Sequence, residues 1–469
     1  MYLYAVIAYL LVLVVLGLFQ VRRAQTGDDF LVAGRTLPWH VLVFTLLATW
    51  IGSGSLFGGA GLGYRAGFPA LWQSAGAWTG IALVYFLASR VRRIAKYTMP
   101  DILELRYGTA ARVLGTIVVV IAYTTIAAYQ FRGGGRLLNL VAGIDIGNGA
   151  LITMAFCVGY TALAGMLSVA YLDIGNGIAM TVGVGLAVVY LMVHAGGLSA
   201  AFGALRSDQV ALFGSLDPWK DAMALFLPTM LLLMGEANMY QKFFSAKDER
   251  NARLSVVGWI AGTILVETLI VAVGVFGSVV VPGLNAADSE AIVIRVAGSV
   301  LPGVLGILLV CGAAAIIVST ANSFLLTPAS ALMRDVYQKA INPAASDKQV
   351  LLLTRIFVVV LGLLGFVALR FFSTILQMAL WAYTMYGASI TPALLAVFLW
   401  PRVTRAGGVA SIATGMITTL GWEIYARYAD GYPYELSTVY PALALSLVAL
   451  VGVSFATPPP SREELAAIG

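Results

Sequence analysis

The sequence contains few of the side chains that enzymes and metal sites use. Its 469 residues include two cysteines, two histidines and 11% charged residues. Cys157 and Cys311 both lie in apolar segments, so we expect buried thiols rather than a disulfide. His40 and His194 lie near the ends of apolar segments, where an interfacial position is expected. With no Cys/His cluster and no Ser/His/Asp combination, we expect neither an enzyme nor a transition-metal site.

The charge distribution also argues against a nucleic-acid partner. The net charge is +6, but the basic residues are spread over the connecting loops. A nucleic-acid-binding surface would gather them in one patch. We therefore expect no nucleic-acid binding.

Apolar residues dominate the chain, with 60% hydrophobic residues and a mean hydropathy of +0.91. Runs of about 20 apolar residues, the length of a membrane-spanning helix, recur throughout. They lie at about 2–20, 40–62, 68–89, 112–138, 149–170, 174–195, 219–240, 255–281, 300–324, 350–372, 375–400, 407–427 and 438–456. This pattern predicts an all-α polytopic membrane protein with about thirteen transmembrane helices in a lipid bilayer.

Lysines and arginines predict the orientation, because cytoplasmic loops carry an excess of them. With the N-terminus outside, 20 of the 28 basic residues fall on the cytoplasmic side. We therefore expect a cell (inner) membrane protein with its C-terminus in the cytoplasm. The first run lacks a small-residue cleavage site and is followed by Arg22 and Arg23, which favours a membrane helix over a removed signal peptide.

One apolar segment, ATWIGSGSLFGGAGLG at 48–63, is crowded with glycine and serine. Breaking a helix in hydrocarbon is costly, so irregular backbone occurs there only where it lines a cavity or binds something. Secondary transporters use such breaks to coordinate a cation with unwound carbonyls. We expect a break at Gly52–Gly54; close helix packing through Gly54 and Gly58 is the alternative.

Together with four further stretches, this segment resembles the sodium:solute symporter family. The stretches are DDFLVAGRTLPW at 28–39, AGMLSVAYLDIGNG at 164–177, MYQKFFSAKDERNAR at 239–253 and VSTANSFLLTPASALMRDVY at 318–337. The resemblance runs in order along nearly the whole chain. It implies a LeuT-like core of two inverted five-helix repeats with discontinuous helices. It also implies a sodium-coupled secondary active symporter that imports a small organic solute by alternating access.

The resemblance also divides the chain into three parts. Residues 1–39 would form an extra helix and a cytoplasmic loop, and residues 40–400 the transport core, with repeats at about 40–195 and 219–400. Residues 401–469 would form two C-terminal helices and a short cytoplasmic tail. The second repeat would break around Pro228–Gly235. No obligate protein partner is expected, although a symporter-like sensor acting through a separate partner is one alternative.

Sodium prefers hard oxygen ligands, which hydroxyls and freed carbonyls supply without a buried carboxylate. The resemblance implies that Na⁺, the coupled ion, is bound by Ala48, Ile51, Ile316, Ser319 and Thr320. Ile316 replaces the usual small residue, but its ligand would be a backbone oxygen. In the alternative interpretation, the Ser319 and Thr320 hydroxyls bond back to their own helix.

Asp173 lies where some family members build a further sodium site. The matching hydroxyl pair would be Asn322 and Ser323, and the asparagine departs from the pattern. The ordinary interpretation of Asp173 is a solvated loop or helix-capping residue. Both possibilities stay open from the sequence.

Solute-binding candidates are polar and aromatic residues positioned near the expected breaks. They are Ser53, Ser55, Gln73, Tyr123, Tyr129, Gln130, Arg132, Thr229, Trp381, Tyr383 and Tyr386. Arg132 could anchor a carboxylate, pair with the intramembrane Glu267 or snorkel outward. Proton-coupled transport through Glu267 is the other alternative, and Glu236 is expected to face water near the cytoplasmic end.

Overall fold

The computed structural model describes residues 1–21, 33–94, 98–164, 166–426, 428 and 436–461. Apart from one parallel bridge between Leu37 and Ala246, the regular structure within these residues is helical. Most of the predicted cytoplasmic loop before Trp39 and the end of the predicted tail lie outside the described residues. The all-α fold is confirmed.

Each predicted apolar run coincides with one helix or with two helices separated by a break. These helices, labelled in chain order, are α1 (Tyr2–Val21), α2 (Trp39–Trp50), α3 (Gly54–Ala66), α4 (Leu71–Val84), α5 (Thr109–Ala142), α6 (Ile146–Ala164), α7 (Met166–His194), α8 (Met223–Gly235), α9 (Ala237–Ser245), α10 (Glu249–Val280), α11 (Gly303–Ala331), α12 (Asp347–Ala368), α13 (Ile375–Leu399), α14 (Arg405–Ala426) and α15 (Val439–Ala456). Shorter helices at Ala88–Ile94, Met99–Tyr107, Leu198–Gly203, Ser207–Val210, Ala286–Ser289 and Ile292–Ser299 connect them.

Several of these helices can span a membrane. Within the described residues, eight spans are long and apolar enough, and the bent pair α2–α3 gives a ninth. The apolar parts of α1 and α6, Tyr2–Val15 and Ile146–Ala162, are shorter. The exact number of thirteen transmembrane helices therefore stays a prediction.

Two of the predicted apolar runs are broken into two helices each. Helix α2 ends at Trp50, Ile51 is extended with ψ 103°, and α3 leaves at 56° to α2. Helix α8 ends at Gly235, and Glu236, with ψ 121°, separates it from α9. The first break, at residues 51–53, overlaps the predicted Gly52–Gly54, and the second lies one residue beyond the predicted range. Glu236 is only 1% exposed, so the expectation that it faces water is wrong.

The join between α6 and α7 differs from the sequence-based expectation. Helix α6 ends at Ala164 and α7 begins at Met166, so Asp173 lies inside α7 rather than at a loop. Its side chain is buried, at 1% exposure. The interpretation of Asp173 as a solvated loop or capping residue is therefore wrong.

Small residues allow α3 to pack directly on α10. A Cβ added at Gly274 would lie 2.0 Å from the carbonyl oxygen of Ala60. Because that oxygen belongs to the helix backbone, it cannot rotate away as a side chain could. The glycine therefore fixes how closely the broken helix approaches α10.

We expect Gly274→Ala to destabilise the protein by about 1–3 kcal/mol, the usual range for overpacking a tight contact. Gly452→Ala on α15 is the matched control, because nothing lies within 4 Å of the added Cβ there. Thermal unfolding of the two purified variants would compare them. Equal midpoints would show that the crossing of α3 and α10 is looser than described.

Candidate functional site

The first break brings backbone carbonyls of α2 against hydroxyls of α11. Thr320 Oγ1 lies 3.1 Å from the carbonyl oxygen of Ala48 and 3.1 Å from that of Ile51. Ser319 Oγ lies 3.4 Å from the same Ala48 oxygen. The two hydroxyls therefore reach across to another helix, unlike the alternative in which they bond back to their own.

Ile316 completes the predicted sodium ligands from within α11. It precedes Thr320 by four residues, so its carbonyl belongs to the same helical turn as the two hydroxyls. Ile316, Ser319 and Thr320 are all at most 2% exposed. The structure thus gathers neutral, hard oxygen atoms from a freed backbone and from hydroxyls, which is the donor set that suits a sodium ion.

Asp173 contacts this group from α7. Its carboxylate accepts hydrogen bonds from Ser319 Oγ and, at 2.6 Å, from Thr45 Oγ1. Asp173 and Asn322 line a cavity of about 10 Å³, the room needed by one water molecule.

The other two residues predicted for a second sodium site have different partners. Asn322 Oδ1 accepts from Thr161 Oγ1 at 2.6 Å, and Ser323 Oγ lies 3.0 Å from Thr49 Oγ1. Asp173 and Asn322 thus share that small cavity, whereas the described contact of Ser323 is with Thr49 on α2.

A glutamine on α5 satisfies the backbone at the first break. Gln130 Oε1 accepts from the Ser53 backbone N–H at 2.8 Å. A Cβ at Gly52 would lie 2.8 Å from Gln130 Nε2 and 2.9 Å from Thr320 Cγ2. Glycine at position 52 therefore lets α5 and α11 approach the break from two sides.

Two tyrosines form hydrogen bonds with the free backbone groups at the second break. Tyr386 Oη donates to the Gly235 carbonyl at 2.5 Å, and the Ala237 N–H donates to Tyr123 Oη at 2.6 Å. Their rings stack with centroids 5.3 Å apart. These tyrosines, expected as cavity walls, thus hold the backbone groups that Glu236 leaves without helical partners.

Three buried polar atoms near the first break have no hydrogen-bond partner within the described part of the chain. They are Ser53 Oγ, Gln73 Oε1 and Gln130 Nε2. A buried polar atom without a partner costs about 1–3 kcal/mol. Beside them Tyr129 and Tyr383 pair their hydroxyls at 3.2 Å, and Tyr383 packs on Trp50 with ring centroids 5.7 Å apart. Unpartnered polar atoms and a pair of tyrosine hydroxyls therefore lie along the start of α3.

Three other solute candidates make their described contacts elsewhere. Thr229 Oγ1 bonds back to Leu225 O at 2.9 Å, within its own helix. Arg132 Nη2 donates to the carbonyls of Leu369 and Phe372, at 2.5 and 2.9 Å. Trp381 packs on Phe372 and lines a largely apolar cavity of about 490 Å³ between α5, α12, α13 and α14.

Glu267 joins the broken helix to α4 and α10. Its Oε1 accepts from Trp50 Nε1 at 2.9 Å, and its Oε2 from Trp78 Nε1 at 3.0 Å. Ser55 Oγ lies 3.4 Å from Oε1. Because an indole N–H can only donate, both oxygens act as acceptors in this arrangement. Glu267 therefore anchors Trp50 and Trp78 to α10, and none of its described contacts is to Arg132.

The sequence analysis missed several contributors to this region. Thr45 and Thr49 are one turn apart on α2, and nothing in their apolar surroundings marks them as polar partners of α7 and α11. Lys242 is one of the 20 basic residues assigned to the cytoplasmic side from the sequence, yet its side chain is 1% exposed. The aromatic residues that follow it, Phe243 and Phe244, are the available signal of burial.

The family assignment follows from comparison with known proteins. Residues 30–415 match the model of the sodium:solute symporter family. The chain belongs to this family. It is a sodium-coupled symporter of a small solute, not an enzyme, and an integral membrane protein.

Similar proteins agree with this assignment. The chain is 27% identical to the high-affinity proline transporter PutP of Bacillus subtilis, over 96% of this chain and 97% of that protein. It is 26% identical to the osmoregulated proline transporter OpuE of the same organism, over 97% and 94%. A sodium/proline symporter of Staphylococcus aureus is 24% identical, over 89% and 85%.

Solved structures show the same fold. A substrate-bound, outward-open Na⁺-coupled sialic acid symporter superposes with a TM-score of 0.83 at 15% identity, over 98% of this chain and 99% of that one. The transporter MhsT in complex with L-phenylalanine gives a TM-score of 0.58 at 16% identity, over 88% and 99%. The LeuT-like core with discontinuous helices is thereby confirmed.

We expect the double variant Ser319→Ala/Thr320→Ala to lose stabilisation by sodium. A ligand present at a hundredfold its dissociation constant stabilises the native state by about 2.7 kcal/mol, and that increment should vanish. Thermal unfolding in sodium and in potassium measures it.

The control for this prediction is Ser330→Ala. Ser330 lies on the same helix, but its hydroxyl bonds to Leu326 O, within that helix. Ser330→Ala should keep the full sodium effect. A sodium-specific shift that survives in the double variant would contradict the assignment of these ligands.

Proposed function

We propose that this symporter imports L-proline or a zwitterion of similar size together with sodium. The proline transporters named above match it over nearly their whole lengths, which supports an amino-acid-like solute. The ion would bind Ala48, Ile51, Ile316, Ser319 and Thr320. The observation that carries the proposal is the convergence of the Thr320 hydroxyl on the Ala48 and Ile51 carbonyls at the first break.

The solute would bind next to the ion, along the start of α3. The unpartnered Gln130 Nε2 is a donor suited to a carboxylate, and the unpartnered Gln73 Oε1 is an acceptor suited to a secondary ammonium. Ser53 and Ser55 lie on the same segment, and the Tyr129–Tyr383 pair would form an adjacent wall. Thr229, Arg132 and Trp381, whose described contacts lie elsewhere, are not part of this proposed site.

Sodium supplies the driving force and the order of events. One ion crossing 100 mV with a tenfold concentration ratio releases about 3.7 kcal/mol, which sustains roughly a 500-fold gradient of a neutral solute. In the proposed cycle, sodium at the first break stabilises the outward-open state and pre-forms the adjacent solute site. Sodium and solute would then be released into the cytoplasm. In this orientation the N-terminus lies on the outer side of the inner membrane.

Uptake into proteoliposomes that contain only the purified protein tests this proposal. An inward sodium gradient should drive accumulation of radiolabelled L-proline, whereas potassium or a pH gradient alone should not. Gln73→Leu should raise KM for proline at least tenfold and leave sodium-dependent thermal stabilisation unchanged, because it removes an acceptor for the solute and not for the ion.

Each outcome has a clear meaning. Unlabelled amino acids, sugars and carboxylates at excess would show which class competes with proline. Uptake driven by a pH gradient without sodium, and abolished in Glu267→Gln, would replace the proposal with proton coupling. Sodium-driven uptake of another solute class would overturn the proline assignment while keeping the ion site.

A further inference from the structure

A buried lysine lies beside the residues predicted for a second sodium ion. Lys242 on α9 is 1% exposed, and its Nζ donates to the Thr45 carbonyl at 2.7 Å and to Thr49 Oγ1. A buried ammonium that lacks a counter-charge is very costly, so the surrounding charges determine what this lysine does.

The two threonines connect the lysine to the predicted second site. Thr45 Oγ1 donates to Asp173 Oδ2 at 2.6 Å, and Thr49 Oγ1 lies 3.0 Å from Ser323 Oγ. A single threonine thus links Lys242 to each of them: Thr45 to Asp173, and Thr49 to Ser323. It is held there by α2, the helix whose end supplies the carbonyls of the first ion site.

The charges around Lys242 balance with one additional cation. Two carboxylates, Asp173 and Glu236, are each 1% exposed and lie on the elements around the ammonium: Asp173 accepts from Thr45, whose carbonyl holds Lys242, and Glu236 immediately precedes α9. These three groups carry a net charge of −1 when ionised. One sodium ion at the Ser319 and Thr320 site, in contact with Asp173 through Ser319, would neutralise them. A second sodium would leave an uncompensated positive charge in a buried region.

We propose that Lys242 is a tethered cation that takes the place of a second sodium ion, so that this symporter couples one sodium to each solute. The small cavity beside Asp173 and Asn322 then holds a water molecule rather than an ion. Unlike a bound ion, the ammonium cannot dissociate, so it neutralises Asp173 throughout the cycle and adds nothing to the coupled charge. The inference rests on the proposed function only for its sodium site.

The number of sodium ions bound by the intact detergent-purified protein tests the proposal without any solute. The unfolding midpoint is followed over a range of sodium concentrations at constant ionic strength, with potassium as the replacement cation. By mass action, its dependence on the logarithm of sodium concentration gives the number of ions bound. The wild type should show one ion.

Lys242→Met should expose the second site. With the ammonium gone, Asp173 lacks its counter-charge, so the variant should be less stable in potassium and should bind two sodium ions. Lys348→Met, at an exposed position, is the matched control and should still bind one. The double variant Asp173→Asn/Lys242→Met lacks both charges. It should again bind one sodium ion, and its stability in potassium should be restored.

The outcomes separate this inference from the proposed function. A wild type that binds two sodium ions, or a Lys242→Met variant that still binds one, would overturn the tethered-cation role. A wild type that binds no sodium would overturn the ion site itself. If Lys242→Met cannot be purified, a double variant that can be purified supports the role, and a double variant that also fails would indicate packing alone and overturn it.

Transport provides a second readout if L-proline is the solute. With equal sodium on both sides and one charge moved per neutral solute, a membrane potential of about 59 mV should balance a tenfold proline gradient, and with two charges about 30 mV. The wild type should give the first value. The second value would contradict the inference and leave sodium-coupled proline transport intact.

Discussion

The structure depends on satisfying the backbone groups that two broken helices release inside a membrane. A spanning helix normally pairs all of its own N–H and C=O groups, and hydrocarbon offers no substitute. Here helices α5, α11 and α13 supply the missing partners. At the first break, Gln130 accepts a hydrogen bond from the Ser53 N–H. At the second, Tyr123 accepts from the Ala237 N–H, and Tyr386 donates to the Gly235 carbonyl.

The same constraint explains how an ion site arises. The carbonyls of Ala48 and Ile51 turn toward Thr320 because the helix that would have paired them ends at Trp50. Ions and hydroxyls compete for such oxygens, so a sodium ion can replace the hydroxyl contacts while the backbone stays satisfied. Under the proposed function, this exchange links sodium binding to the arrangement of α2 against α11, and thereby to access for the solute.

Sequence reasoning succeeded where local chemistry decides the outcome. Apolar run length predicted the helices, and the glycines around Gly52 predicted the first break, because both are properties of neighbouring residues. The hydroxyl pair at Ser319 and Thr320 was found through family resemblance, and the structure shows its contacts with Ala48 and Ile51. Whether those residues bind sodium stays a prediction.

Sequence reasoning failed where a side chain's partner is distant along the chain. Gln130 serves a backbone group 77 residues away, so only the packing of α5 on the break reveals its role. Lys242 was assigned to the cytoplasmic side, and although Phe243 and Phe244 signal burial, its partners Thr45 and Thr49 lie almost 200 residues away in sequence. Arg132 was placed by its span alone, and the carbonyls that it contacts, of Leu369 and Phe372, lie just beyond the end of α12.

The central claim is that sodium binds between the first break and α11. High-resolution structures of the protein in saturating sodium and in potassium would test it most directly. We predict an ion in the sodium structure bound by the hydroxyls of Ser319 and Thr320 and by backbone carbonyls of the break, and no such ion in potassium. An ion found elsewhere, with the Thr320 hydroxyl still bonded to Ala48 and Ile51 in sodium, would contradict it.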